Sequence, residues 1–422
     1  MRTQPFSVRF RSVLTLTAVL LLAAALAAGQ ETPIFSFYSQ YGDALPIGGL
    51  TGDAAGNLYG VTFYGGVYGN GTVYKLSPSA SGWHISVLYS FNPNGIDGFG
   101  PTSAIVFDKA GNIYGTTEFG GTGDCTNGFG CGTVYELSPT GKGTWKETIL
   151  HDFAGTDGWQ IHPGLAMDGA GNLYGMATNG GTYKNGTIFE MSPSAGGWTF
   201  NVLYQFTGGN DGGVPFDGLT LDGTGNLYGT ASAGGGKSAS CRYGCGVVFE
   251  LSPGTGGTWN ETVLHNFTTN PSDGRTPACT LTFDAAGNLY GTTSSGGGST
   301  NFGIVFELSP AANGSWREKI LHNFNDHAGD GNGPTNSLAF DDAGNLYGAT
   351  IAGGNSGHGT AFKLSPTASD PWRETLLNDF SEQGLGGYFP NSGLIWGPNG
   401  ALYGVAASGG RSGQGTAYQL NP

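Results

Sequence analysis

The sequence predicts an all-β fold, a seven-bladed β-propeller of four-stranded antiparallel blades, and three observations carry that prediction. One motif recurs seven times, each repeat divides into four strand-like runs, and the two ends of the chain supply complementary parts of one repeat. The motif, Asn-Leu-Tyr-Gly with a preceding Gly or a near variant of it, has its Asn at Asn57, Asn112 (where Ile113 replaces Leu), Asn172, Asn226, Asn288 and Asn345, and a weaker seventh copy starts at Ala401. Spacings run from 54 to 62 residues, and the two longest belong to repeats with cysteine-bearing insertions, which places the insertions in a loop.

The fourth repeat shows the elements in order. Gly218 to Asp222 is a short apolar first strand, and an Asp-x-x-Gly-Asn turn from Asp222 to Asn226 leads into a second, Asn226 to Thr230. A Gly-Gly loop precedes the third strand, Gly246 to Leu251, and a Ser-Pro turn precedes the fourth, Trp259 to Phe267. Alternation of apolar and polar residues bounded by Gly, Pro, Asn and Asp is the signature of strands joined by hairpins. The last repeat stops at Pro422 after its third strand, whereas Pro33 to Phe37 aligns with the fourth-strand segment Val87 to Phe91. The N-terminal strand is therefore expected to complete the last blade, closing the ring and leaving no edge unpaired.

Residues 1–28 read as a signal peptide: Arg2, Arg9 and Arg11 precede an apolar run from Val13 to Ala28, with Ala25-Leu26-Ala27 as the cleavage motif. Residues 29–422 then form a single seven-repeat domain without a membrane span. The chain holds 80 Gly and is only 11% charged, yet 12% aromatic, which excludes a disordered Gly-rich linker. Its net charge of −14 falls to about −17 without the three leader arginines. That balance, with no Lys/Arg cluster, excludes nucleic acid and anionic membrane as partners. Cys125 with Cys131 and Cys241 with Cys245 bracket matching insertions and read as two local disulfides, each contributing about 2 kcal/mol. Cys279 is left as a buried free thiol in an inner strand.

The recurring pattern GNLYG…GG…GTVFELSP…W…VLHNF…DG…P resembles the GloVer tandem-repeat family, exported bacterial proteins also called choice-of-anchor proteins. The resemblance covers essentially all of the mature chain. It implies an extracellular, periplasmic or cell-surface protein and brings no established activity. The anchoring segment that relatives carry is not expected here, since the sequence closes on Pro422.

Strand order gathers the Gly-Gly loops, both cysteine insertions and the blade-to-blade connections on one face. Those connections carry Asp97, Asp157, Asp211, Asp273 and Asp330, each followed by Gly, with Asp43 as a variant. Six acids on one face would suit calcium. The same Asp-Gly pairs are turn chemistry, and recurrence in nearly every blade favours that structural role. Asp-x-x-Gly-Asn lacks the multiple acids of a calcium loop and reads as hairpin capping. His151, His265 and His322 share a position with Tyr89 and Tyr204, so they read as space-filling hydrogen-bond donors.

Chemistry on a repeat scaffold belongs to residues that break the repeat. Here these include Glu118, Asp124, Trp159, His162, Asp217, Arg242, Arg275, Asp326, His327, Glu382 and Arg411. Trp159, His162, Arg275, Asp326 and His327, which lie in the connections, are the candidate ligand-binding residues. No catalytic motif such as G-x-S-x-G or H-E-x-x-H occurs, and no catalytic residue or cofactor beyond calcium is assigned. The expected function is a secreted, monomeric, non-catalytic binder of an extracellular glycan, protein or envelope component through the loop-rich face. The alternative is a hydrolase or lyase acting on polysaccharide, with irregular loop residues as its acid–base pair.

Overall fold

Each Asp-x-x-Gly-Asn-Leu-Tyr-Gly segment is at once a turn, a strand and a packing seat. In the fourth repeat of the computed structural model, Asp222 Oδ1 accepts the backbone N–H groups of Thr224 at 2.8 Å and Asn226 at 3.0 Å. Its Oδ2 accepts Asn226 Nδ2 at 2.8 Å and the Tyr228 hydroxyl at 3.2 Å. Partial burial works against the charge, but these hydrogen bonds hold the Asp222 carboxyl below its usual range. The turn joins a first strand, Thr220–Leu221, to a second, Leu227–Ala233. Gly229 sits where a β-carbon would lie 2.7 Å from Phe249 Cζ, so only glycine lets the ring on the third strand lie across the second. The third strand is Val247–Pro253 and the fourth Trp259–Asn266.

The structure describes residues 31–38, 44–125, 128–162, 164–236, 241–325, 327, 329–368, 372–383 and 385–422. The leader segment 1–28 lies outside them, as do Asp43 and Asp326. Seven antiparallel blade sheets follow one another around a ring, with a small two-stranded sheet of Gly98–Phe99 and Phe119–Gly120 beside the second. The closing blade pairs Leu402–Gly409 with Thr416–Leu420, and the latter with the N-terminal strand Thr32–Ser36, in the register Thr32 opposite Gln419 and Ser36 opposite Thr416. The expected closure by the N-terminal strand is present. No helix among the described residues is long and apolar enough to cross a membrane.

The apolar core lies between blades. The residue just past each fourth strand is a fully buried Phe, set edge-on against a Tyr or Phe ring on the next blade's third strand. These pairs are Phe37–Tyr74, Phe91–Tyr135, Phe153–Phe189, Phe206–Phe249, Phe267–Phe306, Phe324–Phe362 and Phe380–Tyr418, with centroids 5.1–5.3 Å apart. The fourth-strand Trp residues also face across seams: Trp83 packs on Tyr403 of the preceding blade, Trp198 on Tyr114 and Trp259 on Tyr174. Both expected disulfides, Cys125–Cys131 and Cys241–Cys245, are formed. Cys279 is free and buried, and burial pushes its thiol up to about 12.

Candidate functional site

The backbone brings each blade connection to the ring axis by one repeated device. The residue ahead of the connection's Pro position adopts a left-handed φ: Leu45, Gly100, Gln160, Val214, Thr276, Gly333 and Phe389, at 43° to 65°. Only two of the seven are Gly, so five side chains hold a conformation that costs of order 1–3 kcal/mol each. The return is a hook. The N–H of Gln160 donates to Cys131 O at 3.2 Å, Val214 to Asn185 O at 2.8 Å and Thr276 to Cys245 O at 2.9 Å, each reaching back to the preceding blade. Two of those acceptors are the second cysteines of the disulfides, so each disulfide braces the carbonyl that receives a hook.

Residues just past the hooks line an axial cavity of about 560 Å³, within the range of small-molecule sites. Every blade contributes, and because the contributing segments are the blade connections, the cavity belongs to the loop-rich side of the ring. Apolar walls come from Ile47, Leu50, Val106, Leu165, Leu219, Ile351 and Ile395, and hydroxyls from Thr102, Thr280 and Ser337. Among the described residues its charged or titratable lining groups are Glu118, His162 and Asp217, and it has no Lys or Arg.

These three groups are repeat-breakers brought together by the fold. Glu118 follows the second strand of the second blade, where the other blades carry Phe63, Thr178, Ser232, Ser294, Ile351 and Ala407. His162 follows the hook of the third blade, and its Nε2 lies 3.4 Å from Glu118 Oε1. Gln160 Nε2 donates to the same oxygen at 3.1 Å, and Asn179 Nδ2 donates to Gln160 Oε1 at 2.7 Å. The His162 ring stacks on Phe216 at 5.0 Å, and Phe216 is 47% exposed. Next to it, Asp217 Oδ1 accepts the Gly218 N–H at 2.8 Å and the Thr280 hydroxyl at 3.0 Å. Burial dominates the electrostatics. It pushes Glu118 up to about 7 against the opposing Gln160 hydrogen bond, and His162 down to about 4. It also raises Asp217 despite its hydrogen bonds. At neutral pH the imidazole is uncharged beside a carboxyl poised to take or give a proton, the condition for general acid–base work.

The other candidates stand apart. Trp159 pairs its backbone with Asn179 and packs half-buried in the seam between the second and third blades. Arg275 is half-buried on the connection into the fifth blade, and His327 is exposed and bonded to Asn325; neither lines the cavity. Asp326 lies outside the described residues.

The connection acids sit in separate seams. Each caps the chain that follows its own fourth strand and meets that strand's Tyr or His: Tyr89 donates to Asp97 at 2.8 Å, Tyr204 to Asp211 at 3.1 Å, and His151 Nε2 lies 2.9 Å from Asp157. Asn92 N–H bonds Asp97 at 2.8 Å, Thr207 N–H bonds Asp211 at 2.7 Å, and Asn325 N–H bonds Asp330 at 3.0 Å. Four of these seams add a glutamate from the next blade's fourth strand: Glu147, Glu261, Glu318 and Glu374. Asp43 lies outside the described residues. In the sixth connection, which has Gly386 in the acid's place, Glu31, just ahead of the closing strand, accepts the Gly387 N–H at 2.8 Å.

Sequence reading picked out His162 and noted Glu118 and Asp217 as breakers without placing them together. The available signal was positional, because Glu118 holds the only carboxylate at its place in the repeat.

No functionally curated protein matches the sequence. Among solved structures the fold is similar to PorZ, an essential bacterial surface component of the type-IX secretion system of Porphyromonas gingivalis. The TM-score is 0.51 at 14% identity, over 87% of this chain and 45% of that one. This chain therefore spans less than half of PorZ, and the likeness concerns the fold. A protein from Bacteroides uniformis provisionally called a 6-phosphogluconolactonase aligns at TM-score 0.49 and 13% identity, over 78% of this chain and 84% of that one. The Gloeobacter/Verrucomicrobia repeat model matches residues 23–241 and again 237–422. The chain, a disulfide-bonded seven-bladed propeller with one polar cluster on its axis, belongs to the Gloeobacter/Verrucomicrobia repeat family.

Proposed function

We propose that this protein is an exported binding protein that holds one unit of an uncharged glycan in its axial cavity, entered from the loop-rich face. The observation that carries the reading is the meeting of Glu118 and His162 at 3.4 Å in a cavity lined otherwise by apolar groups and hydroxyls. A sugar presents apolar C–H faces and a rim of hydroxyls. The exposed Phe216 ring offers a stacking surface, and Glu118, Asp217 and the hydroxyls offer hydrogen-bond acceptors and donors. The lack of Lys and Arg in the described lining argues against an anionic ligand. Export is supported by two disulfides, which persist in oxidising compartments, and by the leader pattern in residues 1–28.

A second reading is favoured by the same pair. With Glu118 near neutral titration and His162 uncharged, the two groups can move a proton on the bound sugar, the chemistry of a hydrolase or lyase. One experiment addresses both: a panel of neutral and acidic polysaccharides is assayed for retention by the full chain and for released product. Retention of a neutral glycan without product, weakened tenfold or more in His162→Ala, supports binding. Product formation abolished by Glu118→Gln supports catalysis. Failure of every neutral glycan to be retained or cleaved would reject both.

A further inference from the structure

At the seam between the fourth and fifth blades the repeated cluster is left open. His265 Nε2 lies 3.8 Å from Asp273 Oδ1 and 3.7 Å from Glu318 Oε1, beyond hydrogen-bond distance. All three atoms are buried and have no hydrogen-bond partner among the described residues. Asp273 is only 6% exposed. Its Oδ2 is fixed by the Thr268 N–H and hydroxyl, both at 2.7 Å, which leaves Oδ1 directed into the gap. The contacts are at ion-pair distance only, and no hydrogen bond among the described residues offsets the cost of burying these three atoms.

We infer that this gap is a binding site for a divalent first-row transition ion of the zinc type, ligated by His265 Nε2, Asp273 Oδ1 and Glu318 Oε1. The three ligand atoms lie within 4.8 Å of one another. Ligands about 2.0–2.2 Å from one ion at tetrahedral angles stand about 3.4 Å apart, so the two histidine–carboxylate distances of 3.8 and 3.7 Å close by a few tenths of an ångström, and the two carboxylate oxygens, within 4.8 Å of each other, close by at most about 1.4 Å. Imidazole with carboxylates suits zinc and its neighbours, whereas calcium and magnesium take oxygen donors. A surface groove bordered by His265, Trp316 and Glu318 supplies both an entry path and room for a water as fourth ligand.

A second cluster, His322, Asp330 and Glu374, also gathers three ligand atoms within 4.8 Å of one another, and the contacts in the neighbouring seams set the His265 site apart from it. In the first seam the Tyr89 hydroxyl lies 2.8 Å from both Asp97 and Glu147, and burial together with Asp97 holds the Glu147 carboxyl well above its usual range. There one hydroxyl bridges both acids, whereas Asp273 Oδ1 and Glu318 Oε1 beside His265 have no such bridge among the described residues. In the fifth seam Asp330 Oδ1 already accepts the Gly331 N–H at 2.8 Å and lies 3.3 Å from His322 Nε2, so the matching oxygen is taken.

The test uses the full chain, stripped with chelator, dialysed and titrated with Zn²⁺, with bound metal measured directly and Co²⁺ absorption reporting the ligand field. The wild type is expected to bind one ion at this seam. His265→Tyr, which restores the residue of the first and third seams, is expected to lose the ion while the metal-free protein keeps its melting temperature. Glu318→Gln serves as an independent variant of nearly unchanged volume, and His322→Tyr is expected to retain the ion. Unchanged binding in both His265→Tyr and Glu318→Gln, equal binding of Ca²⁺ by the wild type, or absence of Zn²⁺ binding would overturn the assignment.

Discussion

The seams between blades and the axis they enclose are made from the same seven repeats, and they obey opposite rules. At a seam, equivalent residues do equivalent work: seven Phe rings meet seven Tyr or Phe rings at nearly one distance. At the axis, equivalent positions diverge. The place just past the hook holds Ile47, Thr102, His162, Phe216, Ala278 and Asn391 in six of the blades. Symmetry stabilises a ring because each interface must accept the next blade. A cavity on the symmetry axis can distinguish a ligand only if the symmetry is broken there. The comparison assigns stability to the seams and recognition to the axis.

The largest effect is expected at the closing seam. Phe37 is fully buried against Tyr74, and its N–H donates to Gly415 O at 3.0 Å. Phe37→Ala should cost about 3–5 kcal/mol in chemical denaturation. Removing residues 31–38 should cost more, because it strips the fourth strand from the last blade and exposes an edge at the seam that joins both ends of the chain. A truncated chain that melts within a few degrees of the full one would mean the ring does not depend on this seam.

The ring was legible because its evidence is linear. Repeats can be counted, and a missing fourth strand at one end was matched by a surplus one at the other. The hooks were not legible: Leu45, Gln160, Val214, Thr276 and Phe389 take a conformation that their residue types do not announce. The axial cluster was half legible. Glu118 and His162 each break the repeat, but they meet because the end of a second strand in one blade faces the connection of the next. That contact spans 44 positions and is set by the ring. The seam acids were legible as turn residues, while their approach to the following blade's glutamates appears only once the blades are stacked.

A smaller effect, of opposite character, is expected at the axis. Glu118 titrates near 7 when folded against about 4.5 when unfolded, so between those values the folded protein holds the extra proton. Stability from this group is complete below pH 4.5 and is lost as pH rises through 7. The ceiling on that loss is roughly 3 kcal/mol. Glu31 and Glu261, also raised to about 7 chiefly by burial, add to the same slope. Thermal unfolding should therefore show the wild type less stable at pH 9 than at pH 5. Glu118→Gln should flatten part of that slope without lowering stability at pH 9. An unchanged slope would mean that Glu118 is more hydrated than its 7% exposure indicates.

The smallest effect separates seam from axis most sharply, because it compares two disulfides of similar build. Cys125–Cys131 and Cys241–Cys245 close loops of 6 and 4 residues, so replacing either pair with Ser should cost about 2 kcal/mol on chain-entropy grounds. Their consequences for the axis differ. Cys131 O receives the hook of Gln160, whose side chain bonds Glu118 and whose chain continues into His162. Cys245 O receives the hook of Thr276, which leads to Ala278, a cavity residue without a polar side chain. Loosening the first hook displaces Glu118 and His162 directly, whereas loosening the second displaces the Ala278 methyl wall and, two residues on, the Thr280 hydroxyl that bonds Asp217. With stability losses matched, the Cys125→Ser/Cys131→Ser variant should bind the cavity ligand several-fold more weakly, and the Cys241→Ser/Cys245→Ser variant should lose less. Equal binding in both variants would show that the cluster is held by the packing of His162 on Phe216 alone, with the hook contributing only to the ring.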